Sequence, residues 1–448
     1  MQTFRITDYG AVPGGKDCTR AIQKAIDACF LAGGGTVEIP SGEYLTGGLR
    51  IRSNMTLLLK SGAKLIASRD MSDYMAFRKD EIEPLSEEML RDYHWVQGFT
   101  EEELRFTRVG SRWNSAVIRA INARNFKIIG EEGSVIDGRD CFDPHGEELY
   151  RGPHAIDLYY CEDAYLSGYT IINSANWAHA VFESERITVD GVKVFAGHDG
   201  VHFTTCNDIT VRNCEFYTGD DCVAGFDIIN MLVENCLMNT ACSAMRLGGT
   251  HITVRGCRAF APGKYVFRGS LNEEEKRSGK LAEFNPSHRY NMLSLFTYYA
   301  YAMAKIREMP GDILIENCVV ENADRFVHYN FSGSEWWQRD MPMKSISFKN
   351  VTATGVKLPL NLYGDETVKL VCEIDGCDIT YAESETPVPC INLANAESLT
   401  IKNTVFKNSA EAPLIRRWTK DGAVLIENVS AGNQTIEEAD VPFVTQAI

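Results

Sequence analysis

Three aspartates carry the strongest chemical signal in this 448-residue chain: Asp199 in Gly197-His198-Asp199-Gly200, and Asp220 and Asp221 in Tyr217-Thr218-Gly219-Asp220-Asp221-Cys222. Crowded carboxylates repel and raise one another's pKa, which is a cost to a fold and a usual sign of acid–base chemistry. Glycosidic-bond hydrolysis needs such a set. One protonated carboxyl protonates the leaving oxygen, and one carboxylate activates water or attacks carbon. Read alone, Gly-Asp-Asp is a solvated turn, since both residue types favour turns. Asp199 changes that reading, because it stands 21 residues before Asp220 and 22 before Asp221. Consecutive strand residues point to opposite faces, so Asp220 and Asp221 share a site only if the backbone bends, and Gly219 can supply the bend.

The same interval of about 22 residues recurs in the sequence around the aspartates. A short phrase recurs: an aliphatic or aromatic residue, any residue, Asn or Gly, then Cys or a small residue. It stands at Val189-Asp190-Gly191-Val192, Val211-Arg212-Asn213-Cys214, Val233-Glu234-Asn235-Cys236 and Val254-Arg255-Gly256-Cys257, with starts 22, 22 and 21 residues apart. It returns at Ile315-Glu316-Asn317-Cys318, Phe348-Lys349-Asn350-Val351, Ile374-Asp375-Gly376-Cys377, Ile401-Lys402-Asn403-Thr404 and Ile426-Glu427-Asn428-Val429. A weaker early copy is Leu166-Ser167-Gly168-Tyr169. Each copy follows an alternating strand pattern, such as Ile209-Thr210-Val211. Asn or Gly then tolerates left-handed backbone and lets the strand turn. A unit of two or three short strands cannot bury its apolar face alone, but stacked units bury it at the ~4.8 Å spacing of a parallel sheet. The expected fold is all-β: a single-stranded parallel β-helix, right-handed by the usual crossover rule.

Residues 1–448 are read as one such domain, with residues 1–35 as an N-terminal cap. Asp17 is the expected N-cap of a capping helix with Ile22, Ala25, Ile26, Cys29 and Phe30 on one face, ended by Gly33-Gly34-Gly35. That helix would cover an open sheet edge. Residues 69–115 and 262–310 read as insertions on the binding face.

Composition excludes several partners. Acidic residues outnumber basic ones 61 to 45, giving a net charge of −16. Nucleic acid and anionic membrane both require a positive field at the contact, so neither is expected. The longest apolar stretch, Leu293 to Ala304, is too short and too polar to span a bilayer. Fourteen cysteines with no basic-then-apolar leader after Met1 point to reduced thiols and a cytoplasmic protein. Cys214, Cys236, Cys257, Cys318 and Cys377 hold one place in their phrases and should form an inward column rather than a metal site. No metal or cofactor is called for, and a homo-oligomer is compatible with the sequence.

The opening Phe4 to Gly10, the helix Thr19 to Cys29, Gly33 to Leu49, Val135-Ile136-Asp137-Gly138, Arg151-Gly152-Pro153 and Asn173-Ser174-Ala175-Asn176-Trp177 resemble the polygalacturonase family, glycoside hydrolase family 28. The likeness covers most of the first 260 residues and implies the pectin-lyase-like β-helix. By that resemblance Asp199 matches the aspartate of the family's Asn-Thr-Asp motif, and Asp220-Asp221 its Asp-Asp pair. Asp220 would then be the general acid, with Asp199 and Asp221 activating water for inverting hydrolysis. The departures concern substrate binding. Gly197-His198 replaces Asn-Thr, and Cys242-Ser243 stands where His-Gly is expected. No clear Arg-Ile-Lys motif follows, Arg246 and Arg268 being the nearest basic residues.

Further candidates for substrate contact are His198 and His202 beside Asp199, and a stacking platform at Trp336-Trp337. His288, Arg289, Arg325 and His328 are weaker ones. Spacing alone does not choose the stereochemistry, since a coil step of ~4.8 Å is nearer the ~5 Å of retaining than the ~6.5–9.5 Å of inverting carboxylates. The leading expectation is an inverting, exo-acting glycosidase on pectin-derived or related oligosaccharides. The alternatives are a β-helix lyase, transferase or epimerase, with the acids free to ligate Ca²⁺ in a lyase, and a non-catalytic carbohydrate-binding solenoid.

Overall fold

The computed structural model describes residues 2–74, 115–278, 283–300, 306–331, 340–384, 388–408 and 412–439. Trp336, Trp337 and most of the stretch 69–115 lie outside these. The architecture starts from the recurring phrase. In all ten copies the Asn or Gly has left-handed backbone, with φ between 47° at Asn403 and 76° at Gly168. Every copy turns the chain at the same place in its phrase. The turn amides are then passed to the next coil: Gly191 N–H donates to the Arg212 carbonyl at 3.0 Å, Asn317 N–H to Lys349 at 2.9 Å and Asn350 N–H to Asp375 at 2.9 Å.

The chain groups into two compact units. The first comprises Met1–His202, Asp208–Thr218 and Arg268–His288. Its strands stack in three parallel ladders, each with an inward aliphatic file. One file runs Val37, Leu57, Ile128, Leu166, Val189. Another runs Ile51, Ala120, Leu158, Val181, and the third Tyr44, Leu65, Ile136, Ile171, Val194, Phe216. These side chains are fully buried or nearly so, and burying each larger one contributes roughly 1.5–3 kcal/mol.

The second unit comprises Phe203–Asn207, Gly219–Phe267 and Arg289–Ile448. Its principal file joins the first residues of successive phrases: Val233, Val254, Ile315, Phe348, Ile374, Ile401, Ile426. A second file runs Met238, Ala259, Val320, Ala353, Ile379, Phe406. Such in-register parallel stacking is the parallel β-helix expected from the repeat. The phrase cysteines are buried free thiols. Each donates to the carbonyl two residues back, as Cys214 does to Arg212 at 3.1 Å and Cys318 to Glu316 at 3.2 Å.

Two local expectations are modified. The capping helix spans Thr19–Leu31 and buries Ile22, Ala25, Ile26 and Cys29, but its N-cap is Cys18. Asp17 still serves the helix start, accepting the Thr19 N–H at 3.0 Å from one residue further out. Gln23 ties the helix to the coil, its amide accepting from Arg50 N–H at 2.8 Å and donating to the Arg50 carbonyl at 3.1 Å. The stretch 262–310 is only partly an insertion. It holds the short helix Glu273–Ser278, but Met292–Tyr298 is a strand of the ladder, with Met245 opposite Phe296 and Phe296 opposite Val327. No Asn-Cys phrase follows that strand, so the repeat search passes over it.

Two turn glycines separate backbone strain from collision. At Gly191 (φ 64°) an added Cβ meets nothing within 4 Å, whereas at Gly168 (φ 76°) it would lie 2.4 Å from the Gly130 carbonyl oxygen. Gly191→Ala should cost roughly 1–2 kcal/mol, and Gly168→Ala a further 1–3 kcal/mol or so from overpacking. Denaturant unfolding of both variants checks the order; equal losses would refute the steric account.

Candidate active site

The strands that lead toward the aspartates are Lys193–Ala196 and Glu215–Thr218, paired with Ala196 opposite Thr218. Their offset is the 22-residue interval read between Asp199 and Asp221. Each strand ends in a turn, and the aspartates follow two or three residues later.

In the first unit Asp199 is 4% exposed. Its Oδ2 lies 3.0 Å from His202 Nδ1. A carboxylate accepts, so that nitrogen carries the proton. The His202 ring is stacked on Trp177, with centroids 4.0 Å apart and planes 3° from parallel. The stack fixes the imidazole plane, and with it the direction from which Asp199 is approached. Backbone adds to this: Ala178 N–H donates to the Asp199 carbonyl at 2.9 Å. Trp177 is held in turn, its N–H donating to Asn176 Oδ1 at 3.0 Å. That same oxygen accepts from Arg151 Nη1 at 3.1 Å. Arg151 is buried and pairs with Glu147 at 3.2 Å and Glu148 at 3.1 Å. Arg268 pairs with Glu148 at 3.2 Å. A path of ion pairs, hydrogen bonds and one ring stack thus runs from Arg268 through Glu148, Arg151, Asn176, Trp177 and His202 to Asp199.

His198 is buried beside Tyr150, ring centroids 5.8 Å apart. It lines a small recess with Asp140, Cys141, Tyr150, Ala175 and Lys276. Burial first, and the Asp137 charge second, push Asp140 up to about 7, against the pull of Arg69.

In the second unit Asp220 and Asp221 are 3% and 2% exposed. Asp221 Oδ1 accepts the Ser243 N–H at 3.0 Å, and Oδ2 faces Arg246 Nη1 at 3.6 Å. Thr240 Oγ1 donates to the Asp220 carbonyl and accepts the Cys242 N–H at 2.8 Å. The Arg246 guanidinium lies over the Tyr299 ring, 4.4 Å from its centroid. Burial lowers its pKa, but the charge of Asp221 leads a set of neighbours that outweighs burial and raises it overall. Arg246 is therefore a fixed cation with part of its side chain, 27%, still exposed. Cys242-Ser243, at the position of the expected His-Gly pair, thus supports the acids by backbone. Asp220, Asp221 and Cys242 also present ligand atoms within 4.8 Å of one another. The Arg246 charge beside Asp221 opposes a cation there.

The remaining candidates have structural partners. His288 Nε2 meets Glu275 at 2.8 Å. Arg289 donates to the Ala241 carbonyl at 2.9 Å and lies over Phe267. Asn361 Nδ2 lies 3.3 Å from His328 Nδ1. Sequence reasoning missed the work of Trp177, Arg151 and His179. All three lie within or near segments that carried the family resemblance, but spacing gave no reason to single them out.

Comparison with known proteins follows the same direction. Residues 99–244 match the model of the glycosyl hydrolases family 28. A probable polygalacturonase of Vitis vinifera is 30% identical over 233 residues, covering 49% of this chain and 43% of that protein. An exo-poly-alpha-D-galacturonosidase of Dickeya chrysanthemi is 28% identical over 254 residues, covering 50% and 41%. The chain thus spans less than half the length of these curated relatives. The crystal structure of a hyperthermoactive exopolygalacturonase from Thermotoga maritima superposes with a TM-score of 0.64 at 17% identity, covering 91% of this chain and 92% of that one. That likeness shows the fold.

One buried group gives a pH signature. Burial, against the help of the Gly200 carbonyl, lowers His179 from its ordinary 6.5 to about 4. The unfolded chain binds this proton near 6.5 and the folded chain only near 4, so the contribution is full above 6.5 and is lost as pH falls toward 4. The gap amounts to about 3 kcal/mol. Urea unfolding of the wild type and His179→Leu between pH 7 and 4 checks it: the wild type should lose about 3 kcal/mol relative to the variant. Parallel pH profiles would refute the assignment.

Proposed function

We propose that this chain, a member of glycosyl hydrolase family 28, is an exo-acting, inverting glycosidase that cleaves pectin-derived or related oligosaccharides. Asp220 is the general acid, and Asp199 with Asp221 activates the attacking water. The observation that carries this reading is the division of labour at the buried Asp220-Asp221 pair. Both Asp221 oxygens face donors, the Ser243 amide and the Arg246 guanidinium. Those are the partners of an ionised base. In the first unit, His202 donates to Asp199, leaving its carboxylate oriented for work on water. His198 and His202 flank Asp199 in the chain, and Arg268 is anchored to Glu148.

The substrate class follows from Arg246. A permanently charged, planar guanidinium with an exposed portion suits a substrate carboxylate. The names of the Vitis and Dickeya relatives point the same way, toward galacturonides. The exo mode rests on the Dickeya relative's name and on the long segments at 69–115 and 262–310.

Two measurements test this. Asp220→Asn should lower kcat on galacturonide oligomers by roughly 10²–10⁴ while the unfolding temperature is preserved; full activity in that variant would remove Asp220 from the mechanism. Arg246→Ala should abolish the preference for galacturonides over their carboxyl-reduced counterparts. Charged hydrogen bonds of about 1.5–3 kcal/mol correspond to a change of roughly 10- to 100-fold in kcat/KM. An unchanged preference would place carboxylate recognition elsewhere. Release of an unsaturated, ultraviolet-absorbing product would instead indicate a lyase.

A further inference from the structure

We infer that His179, a neutral histidine inside the coil, is a positioning residue that locks the backbone of the Asp199 turn; this rests on the catalytic reading of Asp199. His179 and Tyr169 are both fully buried. His179 Nδ1 lies 2.9 Å from the Gly200 carbonyl oxygen, and its Nε2 lies 2.9 Å from the Tyr169 hydroxyl. A carbonyl can only accept, so Nδ1 carries the proton. Nε2 then has a lone pair, and the Tyr169 O–H donates to it. The tyrosine thus selects the tautomer that holds Gly200.

The position of Gly200 explains why this matters. It follows Asp199 directly, and glycine is the residue whose backbone rotates most freely. Left alone, the Asp199–Gly200 segment would sample several orientations, each carrying the carboxylate to a different place. Three consecutive residues on the preceding coil remove that freedom. Trp177 stacks on His202, which donates to the Asp199 carboxylate. Ala178 N–H donates to the Asp199 carbonyl at 2.9 Å. His179 donates to the next carbonyl, that of Gly200. Two successive carbonyls and one carboxylate are thereby referred to a single tripeptide. His179 is fully buried, so its bond to Gly200 is sheltered from competing water.

The test compares two substitutions. In His179→Asn the side-chain amide nitrogen is as many bonds from Cα as Nδ1, so the donor to Gly200 is retained and the Tyr169 contact is lost. In His179→Leu the bulk is retained and the donor is lost. A residue that matters only for packing predicts that Asn, smaller and polar, is the worse variant in both melting temperature and activity. Positioning predicts the opposite for activity. His179→Leu should lower kcat by roughly 10- to 100-fold with KM within about twofold, and His179→Asn should stay within about threefold of wild type. Unchanged kcat in the leucine variant, or equal loss in both, overturns the inference.

Should either variant fail to fold, wild-type protein labelled with ¹⁵N-histidine decides the matter at pH 7. The expected spectrum has His179 as the neutral Nδ1–H tautomer, and an Nε2–H tautomer or an imidazolium overturns the assignment. Asp199→Asn separates this inference from the reading beneath it. If that variant retains full activity, the role of Asp199 has failed. If it is inactive while His179→Leu is fully active, only the positioning role has failed.

Discussion

Everything in this molecule depends on a backbone constraint repeated once per coil. A residue in the left-handed region turns a strand sharply, and Asn and Gly enter that region at the lowest cost. The chain places one of them after the strand in each of its ten phrases, and all ten have the left-handed conformation. Because the turn recurs at the same place, the strands before it stack residue on residue. The apolar files that result, such as Val233, Val254 and Ile315, are a consequence of that register. A strand that slipped by one residue in its pairing would turn its file inside out, and changes in coil length, such as 22 residues before Val233 and 21 after it, are taken up outside the paired strands.

The same constraint makes chemistry available. A turn residue that differs between neighbouring coils can be replaced by an acid without disturbing the files behind it. Asp199 and the Asp220-Asp221 pair occupy such ends of strands. Isolated acids in so buried a setting would be costly. Two of the three are given donors: His202 for Asp199, the Ser243 amide and Arg246 for Asp221. The donors to Asp221 come from the following coil, and His202 is held by Trp177 of the preceding one, so one coil supports the chemistry of its neighbour.

Replacement of familiar binding residues becomes intelligible on this view. Ser243 contributes a backbone amide, a group that any residue type supplies, so the loss of a His-Gly pair does not remove the hydrogen bond to Asp221. What side chains supply is charge and stacking. Arg246 over Tyr299 supplies charge, and Trp177 against His202 supplies stacking. These are fixed by contacts between residues far apart in the chain, 53 positions for Arg246 and Tyr299.

The sequence by itself determined the turn positions, the inward files and the three acids, because each belongs to a local pattern that recurs along the chain. The cysteine column was legible for the same reason. Tertiary structure alone decided the rest. That Met292–Tyr298 is a rung within 262–310 depended on pairing with strands 243–247 and 323–328, not on a phrase of its own. That the N-cap position falls on Cys18, one residue after Asp17, went with its backbone, whose N–H donates to the Leu45 carbonyl at 2.8 Å. Above all, the use of Trp177, Ala178 and His179 as supports of Asp199 followed from the packing of one coil on the next. Periodicity says which residues lie one coil apart. Rotamers, ring planes and the direction of each N–H are set only when neighbouring coils close around them, and those directions decide which groups meet.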